Sequence, residues 1–139
     1  MGKKVQEMLN EANQRVPKIE VNQAMKWIND GNTVFVDVRS EASVRDSGKI
    51  KGAVHAERGM IEFFADQEHS LSKPELNPDK RIVLYCGAGG QAALAGATLL
   101  EMGFENVHNV GSFQSWKDAG GEVDNLWYKD SILMKSALI

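Results

Sequence analysis

The chain has a single cysteine among its 139 residues, which excludes an internal disulfide and any CxxC redox or zinc pair. An excess of positive charge is also missing. The net charge is −3 and the basic residues are interspersed with acidic ones, so no stripe suits a nucleic acid. No apolar run approaches the roughly 20 residues of a membrane-spanning helix. Behind Lys3 and Lys4 no apolar core of signal-peptide length follows. The expectation is therefore a protein without a nucleic-acid or membrane partner, in a cytoplasmic location where Cys86 stays a thiol. The three histidines, His55, His69 and His108, are scattered without metal-ligand spacing, and neither a metal nor a cofactor is expected. Repeats and low-complexity segments are absent as well.

What is present is the composition of an ordinary globular domain, with 42% hydrophobic and 25% charged residues. A chain this long buries enough surface to need no covalent staple. Val5, Met8, Leu9, Ala12 and Val16 recur at helical spacing, predicting an amphipathic helix over residues 1–16 that ends before Pro17. Ile19-Glu20-Val21 is a short strand candidate, and Asn22 is placed to cap a helix carrying Ala24, Met25, Trp27 and Ile28. Thr33 to Val38 is β-branched and almost continuously apolar, as suits a strand buried on both faces. Short helices are expected around Ala42 to Asp46 and Met60 to Asp66, a short strand at Ala53 to His55, and a polar loop from Gln67 to Lys80. Arg81 to Tyr85 is the strongest strand signal, followed by a helix from Gln91 to about Met102. A last strand at Val107 to Val110 and a helix from Ser112 to Ala119 complete an α/β pattern around a mostly parallel sheet. Trp27, Phe113 and Trp116 read as core residues. The tail, residues 125–139, is apolar from Leu126 onward and is expected to pack on the domain or on a partner.

Ligands of open α/β sheets bind beyond the carboxyl ends of the strands. Cys86 follows the strongest strand directly, and three of the next four residues, Gly87, Ala88, Gly89 and Gly90, are glycines. Glycines let the backbone curl so that successive N–H groups point inward, backed by the positive end of the helix that starts near Gln91. Such a field stabilises a thiolate, and it would stabilise the terminal sulfur of a persulfide for the same reason. The plainer alternative is a small buried apolar residue, since free cysteine is commonly buried. A phosphate loop lacks support because the Walker spacing and its lysine are missing. Position and glycine content together favour a reactive thiol.

Four segments in register then identify a resemblance: Val36-Asp37-Val38-Arg39, Gly48-Lys49-Ile50-Lys51-Gly52-Ala53, Cys86 with its glycine loop, and Gly111 to Trp116 with Gly120-Gly121. In order and spacing they resemble the rhodanese family over residues 17–124. The resemblance implies a central parallel five-stranded sheet with helices on both faces. It implies a sulfurtransferase in which Cys86 takes sulfane sulfur from a small donor, thiosulfate or a persulfide, and passes it to a thiol or cyanide-type acceptor. Gly87, Ala88, Gly89, Gly90 and Gln91 would surround the substrate, and a protein partner is a further candidate. Many loops of the family carry arginines where Gly87 and Gln91 stand, and no arginine follows Arg81. That departure implies weak thiosulfate turnover. Lys49 stands where the family often has histidine, and Ser40 and Ser43 where it often has glutamates.

Asp37 and Arg39 read as structural neighbours of the site. Asp37 is expected to accept backbone N–H bonds, and Arg39 to pair with a carboxylate such as Glu41 or Asp46. Arg58, in His55-Ala56-Glu57-Arg58-Gly59-Met60, matches a rhodanese subset with Pro-Arg-Gly-Met. It is a candidate for the missing substrate cation, against a surface ion pair with Glu57 or Glu62. Two functions compete: a persulfide-forming enzyme, and a non-enzymatic rhodanese-like module that binds a partner or senses redox state through Cys86. A cysteine phosphatase needs Cys-x5-Arg to hold its oxyanion, and the arginine position is Ala92.

Overall fold

The computed structural model describes residues 2–125, so the apolar tail from Leu126 to Ile139 lies outside the described residues. In chain order the elements are α1 (Val5–Arg15), α2 (Val21–Lys26), β1 (Thr33–Asp37), α3 (Glu41–Ser47), β2 (Lys49–Ile50) and β3 (Val54–His55). A 3-10 turn (Arg58–Met60) then leads into α4 (Ile61–Ala65), β4 (Arg81–Cys86), α5 (Gly90–Glu101), β5 (Val107–Ser112), α6 (Phe113–Asp118) and β6 (Val123–Asp124). None of the described helices is long and apolar enough to cross a membrane.

The two strongest β-branched runs lie at the centre of the sheet, whose order is β3-β1-β4-β5 with every pairing parallel. Alternation along a strand sends successive side chains to opposite faces. Val36, Ile82, Leu84 and Cys86 therefore enter one core with Val16, Ile61 of α4 and Ala92, Ala95 and Leu99 of α5. Phe35, Val83 and Tyr85 enter the other, with Ala24 of α2 and Phe113 and Trp116 of α6. A strand covered on both sides has no polar face to offer, which is why β1 and β4 read as apolar runs rather than alternating ones. Truncating a large aliphatic chain among them, such as the fully buried Leu84 to alanine, costs about 2–5 kcal/mol.

The sheet has four strands where five were expected. The candidate at Ile19 to Val21 is reduced to one parallel bridge, Lys18 to Asn109, with Ile19 N–H on the Asn109 carbonyl at 3.0 Å and Asn109 N–H on the Pro17 carbonyl at 2.9 Å. Pro17 has no N–H to extend the ladder, and the chain turns into α2 at Val21. Consequently Glu20, not Asn22, occupies the N-cap position of α2, and its side chain makes no capping bond. Two short segments not foreseen, β2 and β6, pair antiparallel as a separate two-stranded strap, closed by Lys49 Nζ on Asp124 at 3.1 Å. β5 carries an irregularity: Leu84 faces Asn109, but Tyr85 faces Gly111. This bulge re-aims the end of β5 toward the loop after β4.

Candidate functional site

Cys86 ends β4, and Gly87, Ala88 and Gly89 carry the chain over its side chain into α5. Gly89 has φ +95°, a left-handed conformation that L side chains rarely adopt. A Cβ there would meet the Gly111 Cα at 3.5 Å, an ordinary contact, so the constraint is the backbone conformation rather than space. With this turn the Gly89 N–H donates to the Cys86 Sγ at 2.9 Å. The first bond of α5 runs from Ala93 N–H to the Gly89 carbonyl at 3.0 Å, so the amides of Gly90, Gln91 and Ala92 have no acceptor within the helix. The sulfur, 2% exposed as part of its residue, thus lies against one donated N–H at the positive end of a 12-residue helix. Gly87, Ala88 and Gln91 are exposed, and a Cβ at Gly87 would meet no heavy atom within 4 Å. Chemically, the loop sets a hydrogen-bond donor and a helix N-terminus against a recessed sulfur.

A buried ion pair sits at the end of β1, the strand beside β4. Asp37 at the end of β1 is fully buried and accepts the Arg39 N–H at 3.0 Å. It also takes the Arg39 guanidinium through Nε at 3.0 and 3.1 Å and Nη2 at 2.7 Å. The partner of Arg39 is therefore Asp37 rather than Glu41 or Asp46. Those two carboxylates are exposed, Glu41 takes Arg45 at 2.7 Å, and a buried charge needs a partner that is buried with it. Arg39 further donates to Ser47 Oγ at 2.8 Å and to the Gly48 carbonyl, and its guanidinium lies 4.2 Å from the Phe113 ring centre. Tyr85, behind Cys86, accepts the Ile50 N–H at 2.8 Å. Burial, with the Asp37 carboxylate second, pushes its phenol well up, so it stays protonated.

Arg58 makes its side-chain hydrogen bonds with partners outside the loop. Its guanidinium reaches Glu62 at 3.2 Å and Thr98 of α5 at 3.3 Å. It lines a cleft of about 250 Å³ with Met8, Arg15 and Leu94, whereas the loop residues Ala88, Gly89 and Gly90 line another, of about 400 Å³. That second cleft is walled by Leu9 of α1 and holds Lys18, an exposed cation on no side of the sequence argument. Another residue the sequence reading passed over is Asn109, 3% exposed, whose Nδ2 donates to the Gly89 carbonyl at 3.0 Å and whose Oδ1 accepts the Gly111 N–H at 2.8 Å. Its signal in the sequence is a polar side chain inside an otherwise apolar strand, two residues before a glycine.

Similarity to known proteins follows the same frame. A family model of the rhodanese-like domain matches residues 20–119. A tRNA uridine(34) hydroxylase of Prochlorococcus marinus (strain NATL2A) is 28% identical over 113 residues, which is 78% of this chain and 35% of that protein. One of Agrobacterium fabrum is 28% identical over 101 residues, or 72% and 31%. The chain thus spans about a third of the length of these curated relatives. Among solved structures, a Rhodopseudomonas palustris CGA009 protein of unknown function, described as a possible tyrosine phosphatase, is 35% identical with a TM-score of 0.81, covering 89% of this chain and 96% of its own. The polysulfide-sulfur transferase homodimer of Wolinella succinogenes is 27% identical with a TM-score of 0.67, over 84% and 83%. With the family model covering most of its length and the expected cysteine at the mouth of the central strand, the chain belongs to the rhodanese-like domain family.

Proposed function

We propose that this protein is a sulfurtransferase that carries sulfane sulfur as a persulfide on Cys86. The observation that carries the reading is the Gly89 N–H held on Sγ at 2.9 Å, beside helix amides left without intrahelical acceptors. Sulfur transfer of this kind needs a cradle for the charge on the transferred atom, and the backbone donors of the loop are placed to serve as one. The Cys86 thiolate attacks the sulfane sulfur of a donor. The new S–S bond forms at Sγ as the donor's S–S bond breaks, and the electron pair leaves with sulfite or with a thiolate. An acceptor thiolate then attacks the terminal sulfur, and Cys86 leaves as thiolate, with no net redox change. Gly87 through Gln91 present backbone groups to the substrate, and Asp37 and Arg39 hold the sheet end from which the loop departs.

A donor with two negative charges meets no arginine in this loop, so persulfidic donors are favoured over thiosulfate. Arg58, engaged by Glu62 and Thr98, gives the non-enzymatic reading some support, because its guanidinium is held by other partners. The experiment is intact-mass measurement after incubation with a persulfide donor. A gain of one sulfur, lost on adding a thiol acceptor and absent in Cys86→Ser, is expected. No gain in the unaltered chain overturns the enzyme and leaves the binding module. The hydroxylase relatives suggest a role in RNA modification, and the net charge of −3 weighs against this chain holding RNA by itself.

A further inference from the structure

Asn109 is a buried amide with no task in the transfer as described. Its backbone N–H and carbonyl are both held by one neighbouring segment, through the Pro17 carbonyl at 2.9 Å and the Ile19 N–H at 3.0 Å. Its side chain therefore springs from a rigid point at the bulge of β5. From there Nδ2 reaches the Gly89 carbonyl at 3.0 Å, and Gly89 is the residue whose N–H lies on Sγ at 2.9 Å. These two groups of Gly89 flank one Cα and are separated by two torsions only. Glycine lacks the Cβ that would restrict those torsions, so the loop needs an outside hold if its N–H is to stay aimed. The Ala93 N–H supplies one such hold from within α5 at 3.0 Å, and Asn109 supplies the other from the sheet.

We propose that Asn109 is a positioning residue: its amide clamps the Gly89 carbonyl so that the Gly89 N–H stays directed at the sulfur of Cys86 during transfer. This rests on the sulfur-carrier reading of Cys86. The two ends of the amide do different things. Oδ1 on the Gly111 N–H serves the bulge, and Nδ2 on Gly89 serves the loop.

Asn109→Asp separates these roles, because it keeps the shape and the Oδ1 acceptor and replaces the Nδ2 donor with a second carboxylate oxygen that cannot donate to Gly89. Persulfide formation on Asn109→Asp, followed by intact mass at a temperature where the chain is fully folded, should slow about tenfold. The Gly89 amide resonance in a 1H–15N spectrum should move toward its position in Cys86→Ala, which marks the N–H released from sulfur. Asn109→Ser, neutral and too short to reach both groups, should shift the rate and the resonance in the same direction if the carboxylate itself disturbs folding. A lowered melting temperature with the rate and the Gly89 resonance unchanged assigns Asn109 to the fold alone and overturns the proposal. If the unaltered chain takes up no sulfur, the carrier reading falls. The Gly89 resonance then decides the clamp by itself: movement in Asn109→Asp supports it, and no movement overturns it.

Discussion

Gly96→Ala tests the seating of α1 on α5, the helix that begins at the cysteine loop. In a helix interior, alanine is more favourable than glycine by roughly 0.5–1 kcal/mol. At this position a Cβ would lie 2.9 Å from both γ-carbons of Val16 and 3.3 Å from Leu84 Cδ1. Val16 is 1% exposed and β-branched, so it has no flexible end to swing aside, and Leu84 is fully buried. Forcing a methyl into such a contact costs about 1–3 kcal/mol. Overpacking exceeds propensity, and a net loss of about 1–2 kcal/mol is expected. That corresponds to a fall in Tm of roughly 3–8 °C for a chain of this size. Thermal and urea unfolding followed by circular dichroism measure it. Val16→Ala opens the space, so adding Gly96→Ala to Val16→Ala should be neutral or stabilising, and the double-mutant cycle should show coupling of about 1 kcal/mol or more. A single Gly96→Ala variant more stable than the unaltered chain would refute the claim that α1 sits this close.

Three other outcomes are expected. Gly87→Arg enters open space beside the loop, and thiosulfate turnover should rise tenfold or more, since charge-assisted bonds to an anion are worth about 1.5–3 kcal/mol each; unchanged steady-state turnover in a folded variant would show that the missing charge is not limiting. Arg39→Leu strands the buried Asp37 carboxylate and should cost about 3–5 kcal/mol in urea unfolding, and a loss under about 1 kcal/mol would mean the pair is not holding the sheet end. His108 has its Nδ1 buried without a partner, and burial, followed by the nearby Arg81, lowers its pKa from the ordinary value. The unfolded chain therefore takes up the proton first. The neutral ring's contribution to stability is whole above about pH 6.5 and is lost as the pH falls below it. Urea midpoints should drop more steeply on acidification for the unaltered chain than for His108→Gln, and parallel slopes would contradict this.

Local physics made the centre of the fold and its cysteine loop readable in advance. β1 and β4 are apolar on both faces, and a strand that runs into glycines before a helix has few other arrangements open to it. The features that escaped depend on contacts distant in sequence. β2 and β6 pair over two residues each, and nothing in Lys49-Ile50 or Val123-Asp124 alone announces a strand. The fifth strand shrank to a bridge because what Lys18 could pair with depends on where β5 lies. Arg39 turned back to Asp37, two residues earlier, since both are buried at the same strand end while Glu41 and Asp46 face water. Arg58 matched a family pattern by its neighbours in sequence, yet its direction was decided by Glu62 and Thr98 on two helices. Asn109 reads as a strand residue, and its role becomes visible only when the bulge of β5 sets it opposite Gly89.

Cys86 points to the same side of β4 as Ile82 and Leu84 and leaves only 2% of its surface to solvent. An atom so recessed admits reagents by size. On the sulfur-carrier reading, a slim donor would reach it along the loop, while bulky alkylating agents and a second copy of the same thiol would be held off. Disulfide formation between two molecules would require both sulfurs to come out together. Each sulfur added at Sγ moves the outermost atom outward by about one S–S bond, roughly 2 Å. If Cys86 carries sulfur as proposed, loading changes what the surroundings can touch: a shielded anchor becomes a reactive tip, and discharge withdraws it again.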